Sequence, residues 1–271
     1  MNILINGTNG FVGGYLRKYF SNHNVTALSS ADLDFSDSAP VASFFDSHNK
    51  FDVVINCAAR GRYQATAQDH DILATNIKIF MNLDANRKYF GKLINIGSGA
   101  EFGLTNNIHL AQESDIFNVL PSESYGLSKN IITRLITQNH NYFNVRLFGC
   151  FDSTEPEKRL LSGFRTQYKN QGVFNLSNDR YSDFVSAYDL SVVIENIIDD
   201  QITDPDLNVV YKQKYLLSEI LTLYCNLHNI PPTAVVINSA SDKNYTGDST
   251  LVDRYNLPFK GLAASLKEYY L

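Results

Sequence analysis

Cysteine is scarce, and its placement excludes a disulfide framework: Cys57, Cys150 and Cys225 are odd in number and far apart. That pattern predicts reduced thiols in a cytoplasmic protein. Histidine is equally dispersed, at positions 23, 48, 70, 109, 140 and 228 with no HxxxH spacing, so no metal is expected. No run of Lys and Arg occurs, and the formal charge is −5. The chain therefore has no electrostatic footprint for nucleic acid or for an anionic membrane, and neither is expected as a partner. No apolar run reaches transmembrane length. The opening MNILINGTNG lacks the basic start, long apolar middle and small-residue cleavage site of a signal peptide, which again points to the cytoplasm. Repeats and low-complexity linkers are absent as well.

What is present is an ordinary globular composition. In 271 residues, 44% are of the AVILMFWYC set and 19% are charged, too apolar for a disordered chain and long enough for a full core. Through about residue 150 the short runs NILIN, NVTAL, FDVVINCAA, KLINIGS and NYFNVRLF alternate with longer amphipathic segments. Strands alternating with helices pair in parallel through right-handed crossovers, which predicts an α/β fold with a doubly wound parallel Rossmann sheet. The expected division is a dinucleotide-binding region at 1–150 and a smaller mixed α/β substrate region at 151–271, with some segments returning to the first part. In the second region helices are expected near 157–170, from Ala187, over 216–229 and at GLAASLKEYYL. Strands are expected near Gly172–Leu176, at Asp183–Val185, at LNVVY and at TAVVIN.

Directly after the first strand, Gly7, Gly10 and Gly13 form GxxGxxG, and Phe11, Val12, Tyr15 and Leu16 begin a helix. Glycines here let the backbone turn tightly, approach a pyrophosphate closely and aim helix N-terminal N–H groups at it. After the second strand the sequence reads LSSADLDFSD. Ser29 and Ser30 offer neutral hydroxyls where an acid would repel a 2′-phosphate, while Asp32 and Asp34 arrive a few residues late. No Arg follows to attract that phosphate, and the reading favours NADP(H) over NAD(H). Asp37 is read as a helix cap. Gly7, Asn9, Gly10, Phe11, Val12, Gly13, Ser29, Asp34 and Phe35 are the dinucleotide candidates from these two turns.

Tyr125 and Lys129 in SYGLSKN stand four apart, on one face of a helix. Together with the glycine turn, NCAA at Asn56–Ala59 and GSGAEFG at Gly97–Gly103, this order and spacing resembles the extended short-chain dehydrogenase/reductases, the NAD-dependent epimerase/dehydratase family that works on nucleotide-linked sugars. The likeness runs from residue 1 to about 190. It includes ATNIKIFMNL, similar to the family's helix with an Asn at Asn76, and SDFVSAYDLS, similar to RDFVYVDDLA. The resemblance implies that Ala58, Ala59 and Asn76 also belong to the cofactor site. It implies that Ser98 hydrogen-bonds the substrate oxygen, that Tyr125 exchanges the proton, and that Lys129 holds the nicotinamide ribose while tuning the phenol. The physics agrees: moving a phenol by roughly two to three pH units takes about 3–4 kcal/mol. An ammonium about 4 Å away supplies that order at an effective dielectric near 20.

Family members differ in the two residues after the Ser/Thr. Here these are Gly99 and Ala100, which cannot move the protons that dehydration requires. Glu101 falls one place later, where alternation would turn it to the other face as an exposed strand-end carboxylate. The family's 3,5-epimerase/4-reductases carry a Cys where Ala100 stands and a His in the helix here reading EKRLLSGF, which has none. A one-step 4-keto reduction or a 4-epimerisation with retained NAD remains, and the compact length favours the reductase. A non-catalytic dinucleotide sensor is disfavoured by Ser98, Tyr125 and Lys129. Arg159 and Arg180 are the candidates for substrate phosphates, since guanidinium matches diphosphate bidentately. Arg60 and Arg62 lie at the sheet edge with a cofactor or substrate phosphate as one reading and surface charge as the other. Helices around 69–88 and 122–139 could pair in a homodimer.

Overall fold

The computed structural model describes residues 1–61, 70–240 and 243–269, with the side chain of residue 70 excepted. Arg62 lies outside the described residues, as do the last two residues of the expected C-terminal helix. In chain order the elements begin β1 (Asn2–Asn6), α1 (Phe11–Tyr19), β2 (Asn24–Leu28), α2 (Ser38–Ser47), β3 (Phe51–Asn56), α3 (His70–Ala85), β4 (Phe90–Ser98), β5 (Ile108–Ala111), α4 (Ser124–Ile136), β6 (Tyr142–Leu147) and β7 (Cys150–Phe151). They continue α5 (Leu160–Gln171), β8 (Phe174–Leu176), β9 (Val185–Ser186), α6 (Ala187–Ile198), β10 (Asp206–Asn208), α7 (Leu217–Leu227), β11 (Val235–Ile237), β12 (Tyr245–Gly247), α8 (Thr250–Asp253) and α9 (Gly261–Glu268).

Two compact units result, and neither is a single stretch of chain. The first takes residues 1–104, 113–146 and 194–207; the second takes 105–112, 147–193 and 208–271. The first holds a six-stranded sheet in the order β10-β6-β4-β3-β1-β2, the doubly wound parallel arrangement expected. Strands β1 and β2, β1 and β3, and β3 and β4 pair in parallel register. Because the chain steps from β1 outward to β2 and then returns to β3 on the other side of β1, the order reverses between β1 and β3. In open α/β sheets that reversal leaves a crevice beyond the strand ends, where ligands bind.

The apolar runs explain this layering. Parallel strands covered on both faces read as continuous Val/Ile/Leu runs, and Ile3, Leu4, Ile5, Val53, Val54, Ile55, Leu93 and Ile94 are almost wholly buried. Helices α2, α3 and α4 bring Val41, Phe45, Ile79, Phe80, Leu83, Ile132 and Ile136 onto Leu4, Val54 and Leu93. Each such side chain contributes roughly 1.5–3 kcal/mol of burial. Helix α2 opens on Asp37, whose carboxylate accepts from the Ala39 N–H at 3.3 Å, as read from the sequence.

The second unit has its own core, in which Phe151, Phe164, Leu176, Leu221, Tyr224 and Leu266 are buried together. Its strands form three short parallel pairs, β7 with β9, β8 with β11, and β5 with β12. The helices expected there appear as α5, α6, α7 and α9 within a few residues. Strands β5 and β12 are not apparent in the sequence, because they span only four and three residues and their register shifts between Tyr245 and Gly247.

Candidate active site

The glycine turn is a product of close backbone approach. Gly7 sits at φ +68°, and a Cβ there would lie 2.7 Å from the Ala58 nitrogen. A Cβ on Gly13 would lie 2.5 Å from the Gly7 carbonyl oxygen, so the first turn of α1 presses on the loop that precedes it. The carboxamide oxygen of Asn6 accepts from the N–H groups of Cys57 and Ala58 at 2.8 and 3.0 Å, tying the ends of β1 and β3 together at the switch point. Gly10 stands at the N-cap of α1 and offers no side chain to its N–H groups. Beside this turn lies a cavity of about 470 Å³.

Of the sequence-predicted cofactor residues, Gly7, Asn9, Gly10, Asp34, Phe35, Ala58 and Ala59 line that cavity. Phe11, Val12 and Gly13 form the first turn of α1 behind it. Ser29 is buried and donates its hydroxyl to Asp32 at 2.7 Å, so the serine that faces the cavity is Ser30. Hydrogen bonds from the Ser29 hydroxyl and N–H hold the Asp32 carboxyl below the usual range. Asp34 accepts from the N–H and hydroxyl of Ser36 at 2.8 and 2.7 Å. Asn76 is buried and works as a tie: its oxygen accepts from the Arg60 N–H at 2.7 Å, and its Nδ2 donates to the Ser128 hydroxyl at 3.0 Å. Arg60 lines the cavity and pairs with Asp71 at 3.7 Å.

Ser98 stands at the end of β4, and Tyr125 and Lys129 at the start of α4, two segments that pack against each other. Ser98 ends β4, and its oxygen accepts from the Ala100 N–H at 3.2 Å, opening a 3-10 turn at Gly99–Phe102. Helix α4 lies hard against that turn, since a Cβ on Gly126 would overlap the Ala100 carbonyl. Asn130 reinforces the contact by donating to the Glu101 carbonyl at 2.9 Å. Tyr125 is half-buried on the first turn of α4, and the Ser128 hydroxyl donates to its carbonyl at 2.7 Å. Lys129, 4% exposed, donates its ammonium to the carbonyl of Ile96 at 2.8 Å, two residues before Ser98. Burial draws Lys129 below the ordinary lysine range, and the charges of Glu101 and Cys57 oppose it. Cys57, in the loop after β3, is pushed up to about 12 by burial.

Glu101 corrects the sequence reading. The carboxylate expected at the surface is fully buried, because β4 ends at Ser98 and the 3-10 turn breaks the alternation. Its Oε2 meets the Arg146 guanidinium at 2.6 Å, and Arg146 reaches Asp206 at 2.7 Å. From there a row of amides crosses the sheet. Asn144 donates to Asp206 at 2.9 Å, Asn95 to Asn144 at 2.8 Å, and Asn56 to Asn95 at 2.8 Å. The one signal in the sequence was the recurrence of Asn in the strand runs NILIN, FDVVIN, KLIN and FNVR.

The two predicted phosphate ligands belong to the second unit. Arg159 gives its guanidinium to Glu155 at 3.2 Å and to the Cys150 carbonyl at 2.6 Å, while Arg180 lies 5.6 Å from the ring of Tyr245. Among the described residues no cluster of His, Cys, Asp and Glu is gathered for a metal, and no helix is long and apolar enough to cross a membrane.

A doubly wound parallel sheet with a glycine turn at its switch point defines a Rossmann-type protein. The chain belongs to the NAD dependent epimerase/dehydratase family, whose profile matches residues 3–210. No curated protein matches the sequence. Among solved structures, the chain is similar to a GDP-mannoheptose C4 reductase from Campylobacter jejuni with NADP bound: 18% identity, TM-score 0.82, covering 99% of this chain and 96% of that one. It is similar to a dTDP-4-dehydrorhamnose reductase from Clostridium acetobutylicum at 21% identity and TM-score 0.83, covering 99% and 98%. A dTDP-glucose 4,6-dehydratase from Bacillus anthracis in complex with NAD gives 14% identity and TM-score 0.79, covering 99% and 95%.

Proposed function

We propose that this protein reduces the 4-keto group of a nucleotide-diphosphate-linked sugar, using NAD(P)H. The observation that carries the reading is the pairing of a Ser98–Tyr125–Lys129 constellation with Gly99 and Ala100, two residues that can neither give nor take a proton, in the turn beside it. The cradle fits a dinucleotide: Gly7, Asn9 and Gly10 line the cavity beside the turn, and the start of α1 carries no side-chain cap on its N–H groups. When bound, the nicotinamide supplies the hydride.

The chain's own residues do the rest. Ser98 uses its oxygen to accept from Ala100, so its hydrogen is what it offers to the sugar carbonyl oxygen. Tyr125 hands its phenolic proton to that oxygen as negative charge develops there, and the Lys129 ammonium stabilises the phenolate left behind. Arg159 and Arg180 are the proposed diphosphate contacts. NADP(H) is the favoured form because Ser30 stands at the cavity soon after β2, while the Asp32 carboxylate is turned onto Ser29 and the Asp34 carboxylate, further along the lining, accepts from Ser36.

The test is to incubate the protein with NADPH or NADH and a panel of nucleotide-linked 4-keto-6-deoxy sugars, following cofactor absorbance and product identity. Oxidation of either cofactor with one of the sugars supports the reductase. Stoichiometric NAD carried through purification, with sugar conversion in the absence of added cofactor, would replace it by a 4-epimerase. Titration with both dinucleotides decides between them by affinity.

A further inference from the structure

The buried cluster around Glu101 lies outside the residues that would touch substrate or cofactor, yet it reaches two of the three. Through Oε1, Glu101 accepts the Ser98 N–H at 2.7 Å; through Oε2 it meets Arg146. The site is built to hold it. A Cβ on Gly97 would come within 2.6 Å of Glu101 Oε1 and of both terminal atoms of the Asn144 amide, so glycine is what admits the carboxylate beside the strand. Arg146 stacks 4.8 Å from the Phe102 ring, closing the turn from the other side.

The charges also need one another. Glu101 and Asp206 carry two negative charges against one on Arg146, an imbalance of one inside a dry interior. Unpaired buried charge is costly, and an isolated buried lysine gives up its proton. Lys129 is such a lysine: its ammonium donates to the Ile96 carbonyl at 2.8 Å, Glu101 Oε1 holds the Ser98 N–H at 2.7 Å, and only Gly97, against which that Oε1 rests, separates the two points on the strand. The ionisable groups acting on it from neighbouring elements are Glu101 from the turn after β4 and Cys57 from the loop after β3. Those acting on Glu101 are Arg146 on β6 and Asp206 on β10: burial pushes its carboxyl up, the Arg146 guanidinium draws it back down, and the Asp206 charge adds to the rise.

We propose that Glu101 is a positioning residue of this site: its carboxylate fixes the turn that presents Ser98 and supplies the negative charge that keeps the Lys129 ammonium ionised. Lys129 then completes a neutral group of four with Glu101, Arg146 and Asp206, and the phenol of Tyr125 gains a lasting cation one helical turn away. The proposal rests on the reading of Lys129 as the ammonium of a reductase. Its test is therefore split between a readout that needs no substrate and one that does.

With 13C-labelled lysine, the pH titration of Lys129 is followed by NMR in the intact protein, its signal assigned by Lys129→Met. In Glu101→Gln the titration is expected to fall by about half a unit or more. The same variant is expected to melt at a lower temperature, since its amide sets a donor against either the Ser98 N–H or the Arg146 guanidinium, and to keep its dinucleotide affinity. With an active keto-sugar, kcat should drop by about tenfold or more at unchanged KM, and Glu101→Asp should restore part of it. An unchanged Lys129 titration in folded Glu101→Gln overturns the proposal. If that variant does not fold, the 13C-carboxyl signal of Glu101 in the unaltered protein decides: a carboxylate ionised throughout the range in which Lys129 titrates supports it, and a carboxyl protonated at neutral pH overturns it. If no keto-sugar is reduced by any form, the reductase reading fails while the Lys129 shift still answers for Glu101.

Discussion

Gly7 shows how little latitude a single position has in this fold. Its φ of +68° favours glycine, and a methyl group would meet the Ala58 nitrogen at 2.7 Å. Backbone strain of this kind costs on the order of 1–3 kcal/mol before any overlap is relieved. Gly7→Ala should therefore lower the melting temperature by several degrees and weaken dinucleotide binding about tenfold or more, both read by calorimetry. Unchanged binding would show that the turn does not approach the ligand. Tyr125 allows a cleaner separation of roles, because Phe keeps the ring and removes only the hydroxyl. Proton transfer by a placed side chain contributes about 10²–10⁴ in rate, so Tyr125→Phe should lose that much kcat while its dinucleotide affinity stays within about threefold. A non-catalytic sensor would be unaffected by the change.

Between strands, the row of asparagines makes the sheet cohere at its ligand-binding end. Asn6 faces Asn56 and Asn56 faces Asn95 in parallel register, and Asn95 both accepts from Asn56 and donates to Asn144. Removing the Asn95 amide would leave one buried donor and one buried acceptor without partners, each costing about 1–3 kcal/mol. Asn95→Ala is expected to lower the unfolding free energy by about 2–4 kcal/mol in urea titration, and a loss below about 1 kcal/mol would mean that water replaces the amide. This row also marks the limit of legibility. The strands and helices of the first unit could be read from period and punctuation, since NILIN, FDVVIN and KLINIGS are short Val/Ile/Leu-rich runs ended by polar residues or glycine. Ser98, Tyr125 and Lys129 could be read as well, because one of their spacings is local to a helix and the other is a strand end. Glu101 could not. Its direction depends on where β4 stops, and a one-residue difference in that boundary turns a side chain from solvent to core. Its partner Arg146 lies 45 residues away, and Asp206 a further 60 beyond that, outside any periodicity.

Across the whole chain, stability should carry a pH signature from the second unit, where Asp183 sits in the SDFVSAYDLS stretch. Burial pushes its carboxyl up to about 6 from an ordinary 3.8, against the pull of Lys214, whose ammonium stands 2.9 and 3.0 Å from the two oxygens, and of the Gly247 N–H at 2.8 Å. The stretch itself was legible; the lysine that answers it, 31 residues further on, was not. An acid whose pKa rises on folding binds more protons in the folded state, so its contribution is fully present below about 3.8 and is lost as pH climbs through about 6. A shift of about two units corresponds to about 3 kcal/mol at most. Asp183→Asn removes this titration and leaves the Lys214 ammonium on the Tyr211 carbonyl, 2.8 Å away, at every pH, so the difference between the two proteins isolates the aspartate. Urea unfolding at a series of pH values from about 4 to 7 should show the wild type losing stability relative to Asp183→Asn as pH rises. The opposite slope would mean that the Lys214 ion pair outweighs burial, and that the carboxylate is held charged in the folded protein rather than pressed towards its neutral form.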